Sequence, residues 1–171
     1  MTPNGYSIRR ARPDEFAALP AIERAAAEQF RATSFAGMAD ASLSSVALDP
    51  VRDHIWVAVS ASERPVGFAI VHLHDDEAHL HELDVHPDHA RRGLGTGLIR
   101  AVADWARQQS ATAVTLSTFR DIPWNAPYYA RLGFMPLAEP ELNPALRAIR
   151  QAEADAGLPV AERICMQLTL G

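Results

Sequence analysis

Between His79 and Gly97 the chain reads H-L-H-E-L-D-V-H-P-D-H-A-R-R-G-L-G-T-G, and it gathers groups that move protons with groups that hold anions. His79, His81 and Glu82 are the proton carriers. Imidazole titrates at about 6.5 when unperturbed, whereas a glutamate needs burial to come near neutrality. Gly93, Gly95 and Gly97 follow at every second position, where apolar residues begin to recur as Leu94, Leu98, Ala101, Val102, Trp105 and Ala106. That recurrence is helical. Glycine in a helix costs about 1 kcal/mol relative to alanine, so three in one first turn need a reason. A helix N-terminus offers unpaired amides and about half a positive charge, and glycine lets backbone close on a cluster of oxygens. Arg91 and Arg92 add fixed positive charge beside it. The unit reads as a pyrophosphate cradle. The alternative is that the glycines serve close packing of helix on sheet.

Two common phosphate motifs are excluded. No lysine followed by serine or threonine trails the glycines, and Gly93-x-Gly95-x-Gly97 is not the G-x-G-x-x-G dinucleotide pattern. Seven histidines, with His72-x-His74 and His79-x-His81 at alternate strand positions, raise the question of a metal. Neither a cysteine pair nor an H-E-x-x-H spacing accompanies them, so no metal is expected.

These groups need a scaffold. The first strand is read at Tyr6 to Arg12, followed by a helix capped by Asp14 with Phe16, Leu19, Ile22, Ala26 and Phe30 on one stripe. Pro20 predicts a kink or two joined segments there. Residues 31 to 50 read as a loop and short helix placed to cover an acceptor site. Strands follow at His54 to Ala61, Val66 to His74 and from His79 to Val85, with an acidic turn at Asp75-Asp76-Glu77. His86-Pro87-Asp88 turns the chain into the glycine helix. Beyond it lie a strand at Ala113 to Phe119, a short helix at Asn125 to Leu132, a strand at Phe134 to Leu137, a helix from Asn143-Pro144 to Gly157, and a last strand at Arg163 to Leu170. The order describes one α+β domain over residues 1–171 around one mixed sheet.

Composition sets the outer limits. With 171 residues, 48% hydrophobic and 22% charged, the chain suits one globular core. No run of about 18 apolar residues predicts a membrane span, and residues 1–5 lead into polar sequence without a signal peptide. A net charge of −5 argues against a nucleic-acid partner and suits a cationic one. The single Cys165 fits a reducing cytoplasm, and its apolar strand setting reads as core rather than nucleophile.

The second chemical block is P-W-N-A-P-Y-Y-A-R-L-G-F from Pro123 to Phe134. Locally Asn125 is an N-cap, Pro127 sits in the first turn and Gly133 follows the last turn, which describes a short packing helix with an aromatic face. Here the chain resembles the GNAT acetyltransferases. Ala90-Arg91-Arg92-Gly93-Leu94-Gly95 is similar to that family's (Gln/Arg)-x-x-Gly-x-(Gly/Ala) acetyl-CoA motif, departing from it at Ala90. A second register, Arg92-x-x-Gly95-x-Gly97, satisfies it literally. Tyr129-x-x-x-Gly133-Phe134 resembles the family's later motif. The element order is similar as well, so the resemblance spans nearly the whole chain.

What the resemblance implies is specific. It implies a mixed, mostly antiparallel sheet of about six to seven strands flanked by helices, and acetyl-CoA as co-substrate without a metal. Leu83, Asp84 and Val85 would meet the co-substrate through their backbone, as would Ala90, Arg91, Arg92, Gly93, Leu94, Gly95, Thr96 and Gly97; amides near Val85 would hold the oxyanion. Asn125 would contact the pantetheine arm, and the Tyr129 hydroxyl would protonate the leaving thiolate. The run from His79 to His86 is similar to the strand on which arylalkylamine N-acetyltransferases carry two histidines that deprotonate an amine through water. That role falls to His79 and His81, with Glu82 as rival base. The expected reaction is direct transfer to a primary amine of a small molecule within a ternary complex. A protein or peptide acceptor, or a non-catalytic CoA-binding module, is the alternative, and a homodimer is compatible with the fold.

Overall fold

The computed structural model describes residues 4–40 and 48–171. Seven strands are β1 (Tyr6–Arg10), β2 (His54–Ser60), β3 (Pro65–His74), β4 (Glu77–Val85), β5 (Ala113–Phe119), β6 (Met135–Pro136) and β7 (Arg163–Thr169). The α-helices among the described residues are α1 (Leu19–Ala27), α2 (Leu94–Gln108), α3 (Ala126–Arg131) and α4 (Pro144–Asp155). The strands form one sheet in the order β1-β2-β3-β4-β5-β7-β6. Strands β1 and β2 pair antiparallel, as do β2 and β3, β5 and β7, and β6 and β7, while β4 and β5 run parallel. The expected mixed, mostly antiparallel α+β architecture is therefore present.

The chain divides into two compact units, Met1–His72 with Glu82–Asp104, and Leu73–His81 with Trp105–Gly171. In the first, alternation along β2 sends Ile55, Val57 and Val59 to one face, where they meet Phe68 and Ile70 of β3 and Leu19 and Ile22 of α1. Trp56 and Ala58 are buried as well, so β2 is covered on both faces and reads as a continuous apolar run. In the second unit, Leu142 and Leu146 pack with Cys165 of β7. Burial pushes the Cys165 thiol up to about 11, which keeps it an inert core residue.

Local differences from the sequence reading have physical causes. The stripe around Pro20 is two joined segments, a 3-10 turn at Pro13–Ala18 and then α1, with a further 3-10 turn at Glu28–Ala32. Asp14 is not the N-cap. Arg12 holds that position with Pro13 next, and the Glu15 carboxylate accepts the Arg12 backbone N–H at 2.7 Å. Glu15 also accepts two hydrogen bonds from the Arg9 guanidinium, at 2.9 and 2.7 Å, which hold its carboxyl down at about 2. Asn143 does cap α4, accepting from the Leu146 N–H at 2.9 Å. The strand expected over residues 134–137 is only Met135–Pro136, since Phe134 turns into the core at 1% exposure. Of the covering segment read at 31–50, the described part holds a 3-10 turn at Ala36–Ala39, and residues 41–47 lie outside the described residues.

Candidate active site

The cradle is built in the first unit, where β4 ends and α2 begins. After Val85 the chain makes a 3-10 turn, Pro87–His89, with the His86 N–H donating to the Val66 carbonyl at 2.8 Å. Arg91 then takes φ +59° and Gly93 φ +75°, on either side of Arg92 and one residue before the 15-residue α2 starts. Positive φ turns successive amides the same way, the geometry of an anion nest set on a helix N-terminus. A Cβ on Gly93 would meet nothing within 4 Å, so its positive φ, not crowding, calls for glycine.

Gly97 is glycine for a different reason. A Cβ there would run into the Ile8 side chain of β1, so close packing of helix on sheet applies at this position. Of the two readings open in the sequence, close packing accounts for Gly97, while Gly93 has the positive φ that a cradle would require. Leu94, Leu98, Val102 and Ala106 form the buried stripe that holds α2 in place.

The two cradle arginines also differ. Arg91 and Arg92 are both exposed, but the Arg92 guanidinium lies over the Tyr6 ring, 5.9 Å from its centroid. Tyr6 is itself fixed by a 2.8 Å hydrogen bond between its hydroxyl and His89 Nδ1. Tyr6 and His89 carried no local signal, because their contact joins positions 83 residues apart. Ala90, at the departing motif position, is exposed.

In the same unit, β4 presents Glu82 and Asp84 to one face. Glu82 on the same face and Glu23 of α1 both act on the Asp84 carboxyl. Its Oδ2 is buried with no hydrogen-bond partner. Burial, with the Glu23 charge adding to it and the Glu82 bond opposing it, pushes the Asp84 carboxyl up to about 7. Sequence reading assigned Asp84 only a backbone role and did not single out Glu23. Alternation along the strand put Asp84 on the face of Glu82, but its burial depends on a helix about sixty residues earlier. Position 67 of β3 suits glycine here, since a Cβ on it would come 3.0 Å from the Asp84 carbonyl oxygen.

The second unit holds His79, His81, Asn125 and Tyr129. His79 is 3% exposed, with Nδ1 3.0 Å from the Thr115 hydroxyl oxygen on the paired position of β5, and its ring lies edge-on to His74. His81 is exposed. The two histidines therefore differ in surroundings. Tyr129 is buried in α3, edge-on to both Tyr128 and Phe134. Gly133, at φ +96°, ends that helix as the sequence reading has it. Asn125 stands at the N-cap position of α3 but its side chain makes no capping bond. Its Oδ1 is buried with no hydrogen-bond partner.

Two of the four histidines raised as possible metal ligands are engaged with other groups. His72 Nε2 lies 2.7 Å from the buried Asp53 carboxylate, and His79 is engaged with Thr115. Among the described residues no group of three or more His, Cys, Asp or Glu is placed to hold a metal ion, and no helix is long and apolar enough to cross a membrane.

A strand, a glycine-bearing turn and a helix N-terminus within this sheet order define an acyltransferase fold, and solved structures agree. The ribosomal-protein-S18-alanine N-acetyltransferase of Escherichia coli is 19% identical, matching 97% of this chain and 94% of that one with a TM-score of 0.62. The PaiA N-acetyltransferase of Thermoplasma acidophilum, solved with coenzyme A, is 12% identical over 96% of this chain and 98% of that one, TM-score 0.65. The N-acetylglutamate synthase of Neisseria gonorrhoeae, solved with coenzyme A and N-acetyl-glutamate, is 18% identical over 97% of this chain and 35% of that one, TM-score 0.69. The model of the acetyltransferase (GNAT) family matches residues 19–134, and the chain belongs to that family.

Proposed function

We propose that the chain, with residues 1–171 acting as one domain, transfers an acetyl group from acetyl-CoA directly to a primary amine of a small molecule. The observation that carries the co-substrate half is the paired positive φ of Arg91 and Gly93 ahead of α2, which suits a pyrophosphate. The orphaned Asn125 Oδ1 supplies a second fit, because it is a buried acceptor that a pantetheine amide N–H would satisfy. Acetyl-CoA brings an activated thioester; the residues of this chain bind, orient and move protons. The backbone from Leu83 to Val85 and from Ala90 to Gly97 holds it, and amides near Val85 polarise its carbonyl. Tyr129 protonates the departing thiolate, and its aromatic packing fixes where the hydroxyl sits.

The acceptor enters as an ammonium and must lose a proton before it attacks. His79 and His81 of β4 are the bases for that step, with Glu82 as the rival base. The acidic balance of the chain, at −5, suits a cationic acceptor, and the single buried Cys165 suits a reducing cytoplasmic setting. Thiol release from acetyl-CoA, measured against pooled primary amines and against peptide N-termini, tests the proposal. Release with an amine pool alone supports it; release with peptides alone overturns the small-molecule acceptor. Replacing His79 and His81 with Gln should depress the rate most below pH 8. An unchanged pH–rate profile would remove both histidines and leave Glu82.

A further inference from the structure

We propose that a cleft between β7, α4 and the 3-10 turn at Glu139–Glu141 binds a small organic carboxylate with an apolar body, with Arg120, Arg150 and Arg163 as its anion-binding side chains. None of the residues assigned to acetyl transfer lines this cleft, so binding there needs neither acetyl-CoA nor an amine.

Strand pairing brings two of the arginines together. Arg163 begins β7 opposite Phe119 of β5, and the backbone N–H of the next residue, Arg120, donates to the Glu162 carbonyl at 2.9 Å. Alternation along β7 sends Arg163 and Cys165 to the same face, where Leu142 and Leu146 pack on Cys165. The Arg163 guanidinium lies over the Phe119 ring, 5.0 Å from its centroid. Arg150 reaches the cleft from α4, and its guanidinium donates to the Val160 carbonyl at 2.7 Å. Leu137 and Leu142 add apolar wall, and the Leu137 N–H donates to the Cys165 carbonyl at 2.9 Å. The cleft has a volume of about 260 Å³.

Two of these guanidiniums share a single carboxylate. Glu153 Oε2 lies 3.3 Å from Arg150 Nη1, and its Oε1 lies 3.0 Å from Arg163 Nη2. The Ser117 hydroxyl donates to the same carboxylate at 2.9 Å, and Arg163 Nη2 also donates to the Ser117 carbonyl at 2.9 Å. Glu139, the acid that lines the cleft, is exposed and paired with Arg147 at 3.5 Å. Positive charge is left over. An arginine carries five N–H donors, and these are not all used. Arg163 Nε is buried with no hydrogen-bond partner. The Arg120 side chain is exposed and makes no hydrogen bond or ion pair among the described residues. Arg150 and Arg163 are only 19% and 13% exposed, so solvent screens their charge weakly. The chain as a whole carries −5, which makes this surplus a local feature.

The surplus calls for an anion, and the walls decide which. Glu153 already shows how Arg150 and Arg163 take a carboxylate, and Arg120 offers a free fork for a second one. Leu137, Leu142 and Cys165 reward an apolar body by taking its surface out of water. Phosphate, hydrated on every side, gains nothing from such walls. Drug-sized ligands occupy sites of about 300–1,000 Å³, so an occupant of this cleft is small.

Benzoate is the probe. It is compared with benzamide, an uncharged counterpart of nearly the same shape, and with inorganic phosphate, an anion without an apolar body. Each is titrated into the full chain labelled at its Leu and Ile methyls, with Arg120→Gln alongside. Benzoate should bind saturably and one-to-one with a Kd of about 1 mM or tighter, and shift the Leu137 and Leu142 methyls. Benzamide and phosphate should bind about fivefold or more weakly. Arg120→Gln should hold Tm within about 2 °C, having no partner to lose, and weaken benzoate about fivefold or more. Benzoate that does not saturate by about 10 mM, or that leaves those two methyls unmoved, overturns the site. Benzamide binding as tightly as benzoate, or unchanged benzoate affinity in Arg120→Gln, overturns the role of the arginines. Phosphate binding as tightly as benzoate overturns the apolar body. Should Arg120→Gln not fold, the comparison of benzoate with benzamide on the unaltered chain decides alone.

Discussion

Gly93 and Gly97 lie four residues apart at the start of α2, and the same substitution costs each of them for a different reason. Gly93→Ala meets no steric obstacle, because its Cβ has nothing within 4 Å. Its cost is conformational: alanine at φ +75° loses about 1 kcal/mol, or roughly 2–4 °C in Tm for a chain of this size. Gly97→Ala gains about 1 kcal/mol of helix propensity and pays about 1–3 kcal/mol for pressing on Ile8. The contact is with Ile8 Cδ1, the far end of a side chain that can turn, so the lower part of that range applies and the net change is close to zero. Removing that methyl with Ile8→Val should free the space, and Gly97→Ala then becomes stabilising by about 1 kcal/mol in a double-mutant cycle. Ligand binding keeps the same ranking and widens it. Gly93→Ala disturbs the Arg91–Gly93 turn and should raise the Kd for CoA about tenfold or more, whereas Gly97→Ala should leave it within about threefold. Urea unfolding and calorimetric titration with CoA read both quantities on the same samples. If Gly97→Ala weakens CoA as much as Gly93→Ala does, the division of labour between the two glycines is refuted. If Gly93→Ala leaves CoA affinity intact, there is no anion nest at this turn.

Other expectations follow from the same geometry. Glu15→Gln should destabilise the chain by about 2 kcal/mol at pH 7, allowing for solvent screening at the partly exposed Arg9. Its carboxyl is held below its ordinary value, so that stability is present above pH about 4.5 and is lost as pH falls toward about 2; urea midpoints across that window should converge, and a constant gap would contradict the ion-pair account. Asn125→Ala should weaken CoA binding about tenfold, near 1.4 kcal/mol, with little change in Tm, because its Oδ1 has no partner to lose. A Tm loss with unchanged CoA affinity would make Asn125 a folding residue instead.

The strands were legible because alternation and β-branched residues agree with burial, as in β5, where Ala113–Phe119 was read to the residue. Pro20 disclosed its break for an equally local reason. The start of the first helical segment was not legible, because the Glu15 cap depends on Arg9 reaching back from β1. Asn125 carries the signature of an N-cap without making the bond, since its backbone, at φ −110° and ψ −117°, is outside the extended region that capping residues adopt. At the site the residue types were visible and their environments were not. Three glycines look alike in sequence, yet Gly93 answers to φ and Gly97 to Ile8. Two histidines two residues apart look equivalent, yet Thr115 holds one and the other is exposed. Asp84 looks like an ordinary strand acid until α1 brings Glu23 toward it.

Acetyl transfer with Tyr129 as the proton donor stands or falls on one comparison. Thiol release from acetyl-CoA in the presence of a primary amine is measured for the chain and for Tyr129→Phe, with CoA affinity determined on both. Turnover of the variant should fall about a hundredfold or more, with the Kd for CoA unchanged within about twofold. Equal turnover in the two proteins, or a loss of CoA affinity that accounts for the whole effect, would contradict it and reduce Tyr129 to an aromatic packed on Phe134.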